Sequence, residues 1–159
     1  DSTDLSRYQI AVEGETIPTL SELEVLEDKA KALFESGDCD AALPAIVAFY
    51  SSANQLANII RQGNEPYYDA SRDDKEAIQY YSYRFRQLVA AESASNNLVR
   101  KRNEYWVMEA KCLLQLGRRE EAIPRLYRAL DKISGTNERE LWDEARGLLW
   151  ETVGFNTTN

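Results

Sequence analysis

One block of sequence occurs twice in this chain. Residues 30–46 read AKALFESGDCDAALPAI and residues 110–126 read AKCLLQLGRREEAIPRL. At a constant offset, Ala30/Ala110, Lys31/Lys111, Leu33/Leu113, Gly37/Gly117, Ala42/Ala122 and Pro44/Pro124 are identical, and Leu43/Ile123 and Ile46/Leu126 are conservative. Chance helical matches do not bring a turn glycine, the following alanine and a proline into one register. In the second copy, Trp106, Ala110, Leu113 and Leu114 precede the glycine. Ala122, Ile123, Leu126, Ala129, Leu130 and Ile133 follow it. Both sets keep the i, i+3, i+4, i+7 rhythm of one buried helix face. Ala110, Gly117, Ala122 and Ala129 are small where two helices of a hairpin approach closely. Each proline falls in the first turns of its second helix, where a missing N–H costs least. The blocks read as two diverged copies of one helical hairpin.

This pattern resembles a tetratricopeptide repeat, a helix–turn–helix unit with fixed steps of small and large residues. The second copy supplies Trp106, Ala110 at the small position, Leu113 for Tyr, Ala122, Leu126 for Phe, and Ala129. Glu109 stands at the motif's leucine and Ser134 at its closing proline. The first copy supplies Leu26, Ala30, Leu33, Ala42 and Ile46, with Phe49 where a small residue is usual. The copies are too far apart for adjacent repeats of ~34 residues, so a segment has been inserted between them or has diverged. The resemblance implies an all-α fold: about six antiparallel helices, with tetratricopeptide-like hairpins in a short right-handed solenoid and a C-terminal capping helix.

In chain order, residues 1–18 form a flexible or extended N-terminal arm, and 19–153 form a single helical domain. Thr19 and Ser21 each precede a glutamate by three, the capping-box signature of a first helix that runs to about Ser36. Gly37 ends that helix in the left-handed region, and Asp40 caps a long second helix to about Gln62. Its predicted apolar anchors are Leu43, Ile46, Val47, Tyr50, Leu56, Ile59 and Ile60. A third helix is expected over about 73–93, broken by the polar run SASNN, with Asn96 or Asn97 capping a fourth that runs to about Leu116. The fifth spans about 119–133. Asn137 with Glu140 forms another capping box for a sixth, which buries Leu141, Ala145, Leu148, Leu149 and Val153 as the terminal cap that a repeat array needs. Residues 154–159 are expected to fray.

A chain of 159 residues suits one domain, and no stretch approaches the ~18 apolar residues of a membrane span. It begins at Asp1 without an initiator Met, which suits a processed product. A signal peptide or lipid-bearing residue would lie ahead of Asp1, and the short polar lead suits a tether after export. Net charge is −8, unevenly spread. Residues 1–40 hold eleven acidic and three basic side chains, whereas residues 98–132 hold nine basic and five acidic. That acidic end argues against nucleic-acid binding. The basic part suits an acidic partner, or the acidic end of a second copy in a homo-oligomer.

The chain has no histidine, the commonest general base and transition-metal ligand. It has no Gly-rich phosphate loop, no Glu-x-x-His pair, and no Ser–His or Cys–His arrangement. Paired carboxylates such as Glu120/Glu121 read as solvated helix surface. No catalytic, metal or cofactor site is therefore expected, and the chain is read as a non-enzyme. Cys39, in the first hairpin's turn, and Cys112, mid-helix in the second unit, do not make a disulfide framework, and a distant bond between them is the lesser of the two expectations. Cys112 reads as a small core residue.

The resemblance implies a protein or peptide partner on the face made by the first helix of each hairpin. The candidate residues there are Glu27 and Lys31 in the first copy, and Val107, Met108, Lys111 and Gln115 in the second. Only Lys31 and Lys111 fall at steps suited to clamping a terminal carboxylate. Tyr80 and Tyr83 lie off the apolar stripe of their helix and are a second candidate surface; the competing expectation is that the loop 64–72 folds back over them. Arg100, Lys101, Arg102, Arg118, Arg119, Arg125 and Arg128 are expected to point several ways and to pair with acidic neighbours at i, i+4 spacing.

Overall fold

The computed structural model describes residues 16–64 and 82–156, and these contain five helices and no strand. They are α1 (Leu20–Glu35), α2 (Cys39–Gly63), α3 (Ser82–Gln115), α4 (Arg119–Lys132) and α5 (Arg139–Thr152). The arm residues 1–15, the Tyr67/Tyr68 loop and the start of the third predicted helix, including Tyr80, lie outside the described residues.

The start of α1 follows the capping signature: Thr19 Oγ1 accepts from the Glu22 backbone N–H at 3.2 Å. Its end is set by Gly37, at φ +81°. Gly117 ends α3 in the same way, at φ +74°, and there the Arg118 N–H reaches back to the Leu113 carbonyl at 2.8 Å. A Cβ on either glycine would meet nothing within 4 Å, so only the backbone conformation demands glycine. Gly117→Ala should therefore cost about 1–2 kcal/mol, read as a shift in the urea midpoint. A neutral substitution would show that the turn relaxes.

Two helix starts differ from expectation. α2 is capped by Asp38, whose Oδ1 accepts from the Ala41 N–H at 3.2 Å. Asp40 lies inside the first turn, where its charge suits the helix dipole. At α5 no Asn137–Glu140 box forms. Ser134 Oγ instead accepts from the N–H groups of Thr136 and Asn137 at 3.3 and 3.0 Å. The prolines sit alike in both copies, Pro44 within α2 and Pro124 within α4, and both are exposed.

The predicted break at SASNN is absent: α3 runs through it as one helix of 34 residues, about 50 Å long. Ser95 is buried and donates from Oγ to the Ala57 carbonyl of α2 at 3.1 Å. Asn96 and Asn97 are exposed. Their weak helix propensity costs under about 1 kcal/mol each, and packing along α2 outweighs that. Asn64, which closes α2, ties its Nδ2 to the Leu88 carbonyl of α3 at 2.9 Å.

α3 is shared by two cores, which explains two further corrections. Leu98, Tyr105 and Cys112 face one core with Leu23, Ala30, Cys39, Ala42, Ile46, Phe49, Ala53, Leu56 and Ala57 of α1 and α2. Val107 and Ala110 face the other, with Leu126, Ala129, Ile133 and Ala145. A helix packed on both sides buries more than one stripe, so Val107, expected on a binding face, is core. On α2 the predicted anchors Ile46 and Leu56 are buried and Leu43, Tyr50 and Ile60 pack partly buried against the same core, but the stripe is wider than predicted. It takes in Phe49, whose ring meets Tyr105 tilted at 4.3 Å between ring centres, while Val47 is exposed.

Cys39 and Cys112 are joined by a disulfide, with Cα atoms 5.1 Å apart. The bond links the start of α2 to α3. It is the lesser of the two expectations for these cysteines that the structure bears out. Residues 154–156 also depart from a frayed end: Gly154 takes φ +79°, and Phe155 packs edge-on against Trp150 at 5.2 Å. Arg119 Nε donates to the Thr152 carbonyl at 3.0 Å and holds the end of α5. Val153, expected to be buried, is exposed.

Candidate functional site

The predicted binding residues do not converge on one groove. Glu27 accepts from Lys101 at 3.1 Å, tying α1 to α3. Lys111 pairs with Glu144 of α5. Gln115 Nε2 donates to the Gly37 carbonyl at 3.2 Å, which joins the two hairpin turns. Met108 packs against the first core, Val107 is buried, and Lys31 is exposed. Tyr80 and the Tyr83 side chain lie outside the described residues.

What α1, α3 and α5 do build is an acidic face. Between α3 and α5 lies a groove of about 630 Å³, lined in part by Arg100, Glu104, Glu138, Glu140 and Glu144. Partial burial pushes the Glu104 carboxyl above its ordinary range, and the charges of Glu27 and Glu138 add to it against Lys101. Tyr105, behind this face, is pushed up to about 12 by burial and by the negative charges of Glu27, Glu104, Asp28 and Glu35. Because Glu104 holds its proton more tightly when folded, its ionisation disfavours the fold. That penalty grows as pH rises through its titration and vanishes below it. Glu104→Gln should thus be slightly stabilising at pH 7, within about 0.5 kcal/mol, and neutral in acid. Denaturant titrations at the two pH values check the sign.

A second centre lies where α2, α3 and α4 meet. Glu109 of α3 is 3% exposed. Its Oε2 accepts from the Tyr50 hydroxyl at 3.0 Å. Its Oε1 lies 3.1 Å from Arg125 Nε and 3.8 Å from Arg128 Nη2. Burial, then the Glu109 charge, raises the Tyr50 hydroxyl above its ordinary value. Arg128 lies over the Trp106 ring at 4.5 Å, and Arg102 lies over the same ring at 4.2 Å. Arg102 donates to Asn54 Oδ1 at 2.8 Å and to Asn103, whose amide donates to Glu138 at 3.0 Å.

Three members of the basic run, expected to point several ways, therefore converge around Trp106 and Glu109. Pairing at i, i+4 would not have found this, because the carboxylate sits on another helix. The sequence did hold a signal: a glutamate between Trp106 and Ala110 on an otherwise apolar stripe.

Among the described residues no group of His, Cys, Asp and Glu side chains is placed to hold a metal ion, and no helix is long and apolar enough to cross a membrane. Comparison of the chain with protein-family models, curated proteins and solved structures returned no match in any of the three.

Proposed function

We propose that this chain is a non-catalytic scaffold that holds a protein or peptide segment. Its antiparallel, tetratricopeptide-like hairpins would form a short right-handed solenoid capped by α5. The observation that carries the reading is the equivalence of the two copies. Ala30 and Ala110, Ala42 and Ala122, and Ile46 and Leu126 are all fully buried, and the two turn glycines share one left-handed conformation. Repeat units of this kind stack to leave one continuous face for a partner. Here that face would be the α1–α3–α5 side, where Lys31 is exposed and the groove beside Glu104 lies. The Cys39–Cys112 bond suits an oxidising compartment.

Affinity capture from the native source tests the reading, with wild type beside Lys31→Glu/Lys111→Glu. Recovery of one specific partner, reduced in the variant and reconstituted from purified proteins, is the expected result. Failure to bind any protein would remove the scaffold reading. Recovery of the chain's own copies alone would favour self-assembly. The observation behind that second reading is the charge asymmetry, acidic over residues 1–40 and basic over residues 98–132. Charge-driven self-assembly further predicts a molar mass that falls to monomer at ~1 M salt, where exposed charges are screened within about 3 Å.

A further inference from the structure

We propose that residues 8–12 of the chain's own N-terminal arm dock in a groove between α1 and α3, where Ile10 and Val12 cover its apolar floor. The proposal goes beyond the scaffold reading and does not depend on it.

The groove holds about 190 Å³. Leu23, Phe49, Ala94 and Leu98 line it, together with the Lys101–Glu27 ion pair and Leu20, which is 50% exposed. That volume is below the ~300–1,000 Å³ of small-molecule sites, and it suits one or two side chains of a peptide segment. The groove exists because the helices end unevenly. α1 has 16 residues and α2 has 25, and a short turn joins them. At ~1.5 Å per residue, α2 outruns α1 by about 14 Å. α3 follows α2 and begins at Ser82. The chain leaves α1 at Leu20 while both longer helices run on, and Val89, upstream of the groove on α3, is exposed.

The point where the chain enters selects the occupant. Ile17 already packs against the core to which Leu23, Phe49 and Leu98 belong. Leu20, three residues on, lines the groove. Val12 is five residues from Ile17 and Ile10 is seven, a reach of at most ~18 and ~25 Å. Tyr8, Ile10 and Val12 alternate with Gln9 and Ala11, so an extended segment would set all three on one side. The stretch YQIAV is uncharged between Arg7 and Glu13, which suits an apolar floor where a charge would lose its water. A tethered segment also acts at an effective concentration on the order of millimolar, so it outcompetes a free segment of equal affinity. Asn97 and Lys101 line this groove, and Arg100 and Glu104 line the one toward α5. A seated arm therefore borders the face proposed for a held segment.

The test is methyl NOE spectroscopy on the full chain, with its Ile, Leu and Val methyl groups ¹³C-labelled. Cross-peaks from Ile10 or Val12 to Leu20 or Leu98 are expected. Ile10→Ser with Val12→Ser should remove them, move the Leu20 and Leu98 signals, and lower the thermal midpoint by about 3–6 °C. The absence of any cross-peak between arm and groove would overturn the proposal, as would Leu20 and Leu98 signals that the double substitution leaves in place. Cross-peaks from Ile78 in their stead would overturn it in favour of the segment between α2 and α3. Cross-peaks that run between chains, in a mixed sample of labelled and unlabelled protein, would overturn it in favour of a second copy. The readout needs no partner, so it stands or falls separately from the scaffold reading.

Discussion

Removing the Cys39–Cys112 bond, by reduction or as Cys39→Ala with Cys112→Ala, should lower folding stability by about 2–4 kcal/mol. The bridged residues are 73 apart in sequence, and in the chain-entropy account a closed loop of that length restricts the unfolded chain by about 4 kcal/mol. The native state has little to lose. Both residues are buried in the core shared by α1, α2 and α3, where alanine or a reduced thiol is an acceptable small apolar group. The effect therefore acts through the unfolded state. It should appear as a lower midpoint and a larger denaturant slope, because the uncrosslinked chain exposes more surface. The thermal midpoint should fall by roughly 5–15 °C. Urea titrations with and without reductant measure both quantities. An unchanged midpoint would mean that the two sulfurs are not bonded in the protein. Reduction under native conditions should also be slow, since a reductant reaches neither sulfur without local opening.

That bond was not legible in the sequence, and the reason is geometric. Cys39 and Cys112 occupy different steps of the repeated block, one at the turn and one within a helix. No periodicity argument pairs them; only the docking of α2 against α3 brings them together. The hairpins themselves were legible because each depends on local chemistry: a glycine able to take positive φ, alanines at the crossing, and a cap at Thr19. The unbroken α3 was not, because SASNN carries weak local propensity and its helicity comes from contacts with α2 through Ser95 and Leu98. For the same reason Val107 was misplaced. Which side of a helix is solvated depends on how many neighbours it has, and α3 has partners on both sides. The arginine centre was half-legible: Glu109 breaks an apolar stripe, but its partners sit on α2 and α4.

Replacing both Arg125 and Arg128 by alanine should cost about 3–5 kcal/mol, and adding Glu109→Leu should return most of that loss. The Glu109 side chain is 4% exposed, so it cannot turn to water once its cations are gone. The Tyr50 hydroxyl would be the one hydrogen-bond donor left to it among the described residues. A buried charge without a partner is costly, whereas an apolar set of similar volume is not. The two directions of disruption are therefore unequal. Glu109→Leu alone should cost only about 1–1.5 kcal/mol, since it strands the Tyr50 hydroxyl while the arginine ends, already partly exposed, move into solvent. A double-mutant cycle by urea denaturation reads the coupling between Glu109 and the arginine pair, expected at about 3 kcal/mol or more, at or above the top of the ~0.5–3 kcal/mol range of contacting residues. If the losses simply add, the carboxylate is not compensated by these two arginines. The pair would then be a solvated surface feature without the structural role assigned to it.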